Sequence, residues 1–175
     1  MKQIELKKIA LGAILAALSV VLKLMFDMWL PVETFGFPFY SIPLILAGLF
    51  LGPLYGLIVA AVADTSFGLI QGYYPLFLFS SLMWGVVPSL FTRKPRGFNW
   101  FIIILITYLL ASAANTMAIW LHFSRKLALG TLPLRLALLP VFGLLIATIV
   151  KVLYDRLYVA LPDLMLIKKV NHDIK

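Results

Sequence analysis

Apolar runs of nearly membrane-spanning length dominate this 175-residue chain, and they leave few folds open to it. Six can be traced, over residues 9–26, 40–51, 53–70, 75–91, 100–123 and 132–161. A helix needs about 20 apolar residues to cross a hydrocarbon core of about 30 Å. Five runs approach or exceed that length, and the second is shorter. Apolar residues make up 63% of the chain and charged ones 13%, where a soluble domain has about half and about a quarter. Inside a bilayer every backbone polar group has to be satisfied within the protein, which favours helices here. The pattern predicts an all-α, polytopic membrane protein with six transmembrane helices, in a single domain over residues 1–175. Gly52-Pro53 separates the second and third runs with almost no loop, since proline cannot continue a helix but suits its first turn. Pro88, Pro133 and Pro140 fall within or near runs as candidate kinks. The first run follows Lys7 and Lys8 like a signal peptide, but no small-residue cleavage site ends it, so it is read as a retained helix.

A net charge of +8 would raise the question of nucleic acid in a soluble protein. In a membrane protein the question is which face carries the cations. Placing both termini in the cytoplasm puts Lys2, Lys7, Lys8, Arg93, Lys94, Arg96, Lys151, Arg156, Lys168, Lys169 and Lys175 inside. That leaves Lys23, Arg125, Lys126 and Arg135 in the outer half. The expected orientation is therefore both termini cytoplasmic, with outer connections over residues 27–39, 71–74 and 124–131. The first of these contains Trp29, Pro31, Phe35, Phe37, Pro38 and Phe39. So apolar a connection suits a lid folded over something better than a loop in water.

Four cations on the face that the bias disfavours are candidates for a basic vestibule that takes an anionic solute. Arginine can hold a carboxylate in a two-pronged fork. The structural alternative is that these long side chains snorkel to headgroups. Lys23 is placed about one turn inside the end of the first helix and Arg135 about one turn into the last, with Arg125 and Lys126 in the loop between the last two runs. Asp64 is the one acid deep inside an apolar run. Its insertion costs about 2.5–3.5 kcal/mol or more unless it is partnered or wet, so it should face the protein interior. It could accept two parallel N–H bonds from an aminopyrimidine edge. Otherwise it forms an internal ion pair with Lys23 or Arg135, or a hydrogen bond to Thr65 or Ser66. Gln71, Tyr73 and Tyr74 in a short outer connection, and Asn115 and Trp120 in the fifth run, complete the candidate set, with the aromatics available for stacking on a flat ring. Along the first run, Gly12-x-x-x-Ala16 and Ala13-x-x-x-Ala17 form a smooth stripe that would admit close helix packing, within the chain or with a separate membrane subunit.

No phosphate-binding glycine loop, nucleophile elbow or His-Glu-x-x-His pattern occurs, so the expectation is not an enzyme. The chain has no cysteine, which excludes a thiolate metal site and a disulfide scaffold.

The string Ser41-Ile42-Pro43, Ala47-Gly48, Gly52-Pro53, Gly56, Ala63-Asp64 resembles the second and third helices of the S components of energy-coupling factor (ECF) transporters, folate type. The likeness continues through Gly68, Tyr73-Tyr74-Pro75, Asn115-Thr116 and Leu132-Pro133-Leu134-Arg135. The chain departs from the folate type after Pro75, where Leu76-Phe77-Leu78 replaces the usual Gly-Phe-Thr, and in the loop before the second helix, which differs from the usual basic form. The resemblance implies a six-helix subunit of a prokaryotic cell membrane that binds one vitamin from outside. That subunit delivers the vitamin inward with a membrane T subunit and two ATP-binding subunits. It implies no directly bound cofactor, since the partner subunits hydrolyse the ATP. By the same resemblance Ala13 and Ala17 meet the T subunit, and Asp64 lies near a folate's pterin. Phe37, Gln71, Tyr73, Tyr74, Asn115 and Trp120 belong to the cavity, and Arg135, Lys23, Arg125 and Lys126 meet the acidic tail. An S component for pyridoxine, hydroxymethylpyrimidine or pantothenate, and a membrane-embedded lipid-modifying enzyme, are the alternatives.

Overall fold

The computed structural model describes residues 2–29, 38–72, 75–91, 99–161 and 164. Six α-helices form among them: α1 (Lys2–Trp29), α2 (Ser41–Leu51), α3 (Pro53–Gln71), α4 (Leu78–Phe91), α5 (Asn99–His122) and α6 (Arg125–Ala160). Single 3-10 turns, Pro38–Tyr40 and Pro75–Phe77, lead into α2 and α4. By length and composition α1, α3, α5 and α6 can cross a membrane, whereas α2 has 11 residues and α4 has 14.

The short second run has a physical explanation. All 11 residues of α2 are buried. A helix apolar on every side belongs at the centre of a bundle, and α2 packs against α1, α3, α4 and α6. Around it, α1 meets α3, α3 meets α4, α4 meets α5 and α5 meets α6. Gly52 turns the chain between α2 and α3 with a φ of 99°, a region that favours glycine. Pro53 then opens α3.

Where α2, α3 and α4 cross, Gly48, Gly56 and Gly85 let the backbones touch. A Cβ on Gly48 or Gly56 would overlap the Gly85 carbonyl, and one on Gly85 would overlap that of Gly56. At the same end of the bundle the Tyr55 hydroxyl donates to Glu5 Oε2 (2.6 Å) and Lys8 pairs with Glu5 (3.2 Å), which ties the start of α1 to that of α3.

Two expectations about α6 are corrected. Residues 124–131 are not a loop: Ser124 caps α6 by accepting from the Leu127 backbone N–H (3.2 Å), so Arg125 and Lys126 lie on its first turn. Arg135 consequently sits about three turns into the helix rather than one. The three candidate kink residues all lie inside helices, Pro133 and Pro140 in α6 and Pro88 in α4.

Candidate functional site

The polar residues converge at the end of the bundle that holds the α5–α6 turn. Asp64, 6% exposed, points inward from α3. Lys23 of α1 pairs with its Oδ1 at 2.8 Å, and the Ser81 hydroxyl of α4 donates to the same oxygen at 2.7 Å. The Lys23 ammonium also lies over the rings of Phe67 (4.1 Å) and Tyr40 (5.2 Å). A cation boxed by a carboxylate and two ring faces is well compensated in a low-dielectric setting. The internal ion pair weighed for Asp64 is therefore present, and the partner is Lys23.

Beside this pair lie two small cavities that share Tyr40, Ser80 and Asn115 as a common wall. The first, about 40 Å³, is closed by Trp84, Tyr108, Ser112 and Arg135 among others. The second, about 20 Å³, reaches Lys23, Asp27, Phe67 and Phe77. The two form one polar tract from Arg135 to the Lys23–Asp64 pair. Its volume suits on the order of a few water molecules. The 3-10 turn bearing Tyr40 is the short, irregular part of its wall. Tyr40 is held by hydrogen bonds around it: Ser19 donates to its carbonyl (2.8 Å), and Ser41 donates to that of Pro38 (2.5 Å).

Local sequence explains the remaining wall. Tyr108, Ala111, Ser112 and Asn115 recur at intervals of three, one and three, so one face of α5 meets the cavity. Trp84 stands edge-on to Tyr108, with centroids 5.7 Å apart. The Ser112 hydroxyl is buried with no hydrogen-bond partner among the described residues. By contrast, the Thr107 and Thr116 hydroxyls donate to carbonyls one turn back in the same helix.

The sequence candidates separate into distinct groups. Asn115 lines both cavities, Arg135 (2% exposed) lines the first and Lys23 lines the second. Asp64 stands behind Lys23. Gln71, Arg125 and Lys126 are exposed and line neither cavity. Trp120 is 51% exposed and faces Arg125, whose guanidinium lies 5.5 Å from its ring. Phe37, Tyr73 and Tyr74 fall outside the described residues. Sequence reasoning missed Tyr40, Ser80, Ser81, Trp84, Tyr108 and Ser112. Trp84 and Tyr108 carried a usable signal, since they sit within apolar runs away from the ends, where membrane aromatics usually gather. Among the described residues no group of three or more His, Asp or Glu could hold a metal.

On α1 the small residues divide between two faces. Gly12 and Ala16 are buried, and a Cβ on Gly12 would lie 3.2 Å from Val59 of α3. Ala13 and Ala17 are exposed on the outward face.

Neither the curated proteins nor the solved structures provide a match. The family model described as ECF-type riboflavin transporter, S component, matches residues 3–155, which takes in α1 to α5 and most of α6. This chain belongs to that family of S components, the vitamin-binding membrane subunits of ECF transporters.

Proposed function

We propose that the chain binds folate from outside the cell membrane and delivers it inward with a T subunit and two ATP-binding subunits. The observation that carries this reading is Arg135, a guanidinium buried against a cavity walled by Tyr40, Trp84, Tyr108 and Asn115. A flat ring stacked on those aromatics, with a carboxylate or carbonyl at the planar guanidinium of Arg135, suits such a wall. Both termini are then cytoplasmic, and Ala13 and Ala17 present a smooth face to the T subunit. Phe37, Tyr73 and Tyr74 belong to the folate site.

A second reading is riboflavin, and two observations favour it. The family model carries that name, and Lys23 is paired with Asp64, where a dicarboxylate would draw on several cations. Riboflavin is uncharged, and its ring carbonyls could accept from Arg135.

Binding by the purified solitary protein separates the two. Folate is expected to bind and to be displaced only by other folates, with Arg135→Met weakening it roughly tenfold or more, the scale of a lost charge-assisted hydrogen bond. A flavin identified by mass spectrometry in the purified protein, with no competition from folate, replaces the first reading by the second.

A further inference from the structure

A concavity larger than either polar cavity lies on the outer side of α4 and α5. Between α4 and α5 a groove of about 320 Å³ is lined by Leu76, Phe79, Met83, Ala114, Met117, Ala118 and Leu121. It exists because Ala114 and Ala118, one turn apart on α5, are too small to fill the space between larger neighbours. Phe79 and Met83 form the α4 wall, and Met117 and Leu121 rise on the α5 side. Phe79, Met117 and Leu121 are each more than half exposed, so the groove opens away from the bundle. An all-apolar recess on the outside of a membrane protein suits an acyl chain.

The end of this groove is charged. Ala118 packs with Phe77 and with Ala128 of α6, and Leu76 packs on the same cluster. That contact fixes the first turn of α6 beside the groove, with Arg125 and Lys126 exposed on it. Arg125 lies over Trp120, whose chain neighbour Leu121 lines the groove. The start of α6 adds its own positive partial charge. Ala114 and Leu121 are seven residues apart, about 10 Å along the helix. The recess therefore leads from bilayer depth towards the two cations.

We propose that the groove and the α6 first turn together bind one anionic phospholipid. An acyl chain lies on Ala114 and Ala118, and the headgroup phosphate meets Arg125 and Lys126. This gives the two exposed cations a lipid partner in place of a vitamin.

The test is native mass spectrometry of the full chain released from bilayers of equal phosphatidylglycerol and phosphatidylethanolamine. The expected result is one retained lipid, with phosphatidylglycerol enriched roughly fivefold or more, the scale of a basic residue near an anionic surface. Arg125→Gln with Lys126→Gln should abolish the enrichment while a lipid is still retained. Ala114→Phe should lower retention of both lipids. Thermal melts of each variant in detergent confirm folding. The proposal is overturned if the wild type retains no lipid or retains both equally, or if the glutamine variant keeps the preference. It is equally overturned if Ala114→Phe leaves lipid retention intact, and if that variant also blocks assembly with the T subunit, the occupant is a protein helix.

Discussion

The helix α3 behaves as two different materials along its length. Near its start, Gly56 presses backbone to backbone against Gly85, in a crossing with no room for a methyl group. Two turns later Asp64 enters a polar tract with space for water beside it. Helices α3 and α4 take part in both regions, with α2 joining them at the crossing and α1, α5 and α6 at the polar tract. Close contact at the glycine crossing fixes the relative placement of α2, α3 and α4, whereas polar side chains stand between the helices at the far end. A protein interior tolerates little volume change where it is tightly packed, so the two ends should respond differently to substitution.

The largest effect belongs to the crossing. Gly85→Val places a branched side chain against the Gly56 carbonyl and Ala60. Overpacking of a well-filled site costs typically about 1–3 kcal/mol and occasionally more, and with backbone as the obstacle this one should exceed that range. The expected outcome is loss of monodisperse protein on size-exclusion chromatography in detergent. Gly130→Val, on α6, meets nothing within 4 Å and should remain folded. If both variants behave alike, the crossing is not the rigid element.

At the polar end the effect is smaller and reversible by a second change. Asp64→Ala leaves the half-buried Lys23 beside two rings without its carboxylate, and such a loss costs up to about 3–5 kcal/mol. Replacing both partners, Lys23→Met with Asp64→Leu, should recover most of the melting temperature, since apolar replacement of a buried pair is often neutral. Vitamin affinity in this double variant should fall less than in Arg135→Met, because Asp64 lines neither cavity and Lys23 lines only the smaller one, which Arg135 does not reach. A double variant as unstable as the single one would mean that the pair does more than neutralise itself.

The sequence exposed the unusual charges but not their partners. Asp64 stood out because a lone acid in an apolar run needs an explanation, and its inward direction followed from cost alone. That Lys23 answers it depends on how α1 packs on α3, a contact 41 residues apart in the chain. The six helices were legible from hydrophobic runs, and the burial of α2 was hinted at by its length. The early start of α6 was hidden because Ser124 reads equally as loop or cap, and because the apolar run begins only at residue 132, a turn or two into the helix. Ser80, Ser81 and Ser112 escaped notice because hydroxyls are common in membrane helices, where most bond to their own backbone. The Ser81 bond to Asp64 runs instead to another helix.

The smallest effect comes from α1, where a single residue step changes the face. Ala16 is 5% exposed and packs in the core, while Ala17 and Ala13 face outward. Ala16→Leu should cost the isolated protein about 1–3 kcal/mol by overpacking. Ala13→Leu should leave its melting temperature close to wild type, because the added side chain points away from the bundle. The same variant should lower co-purification with the T subunit, where a smooth face permits close helix approach. If Ala13→Leu assembles normally while Ala16→Leu does not, the stripe serves packing inside this chain, and the docking face lies elsewhere on the bundle.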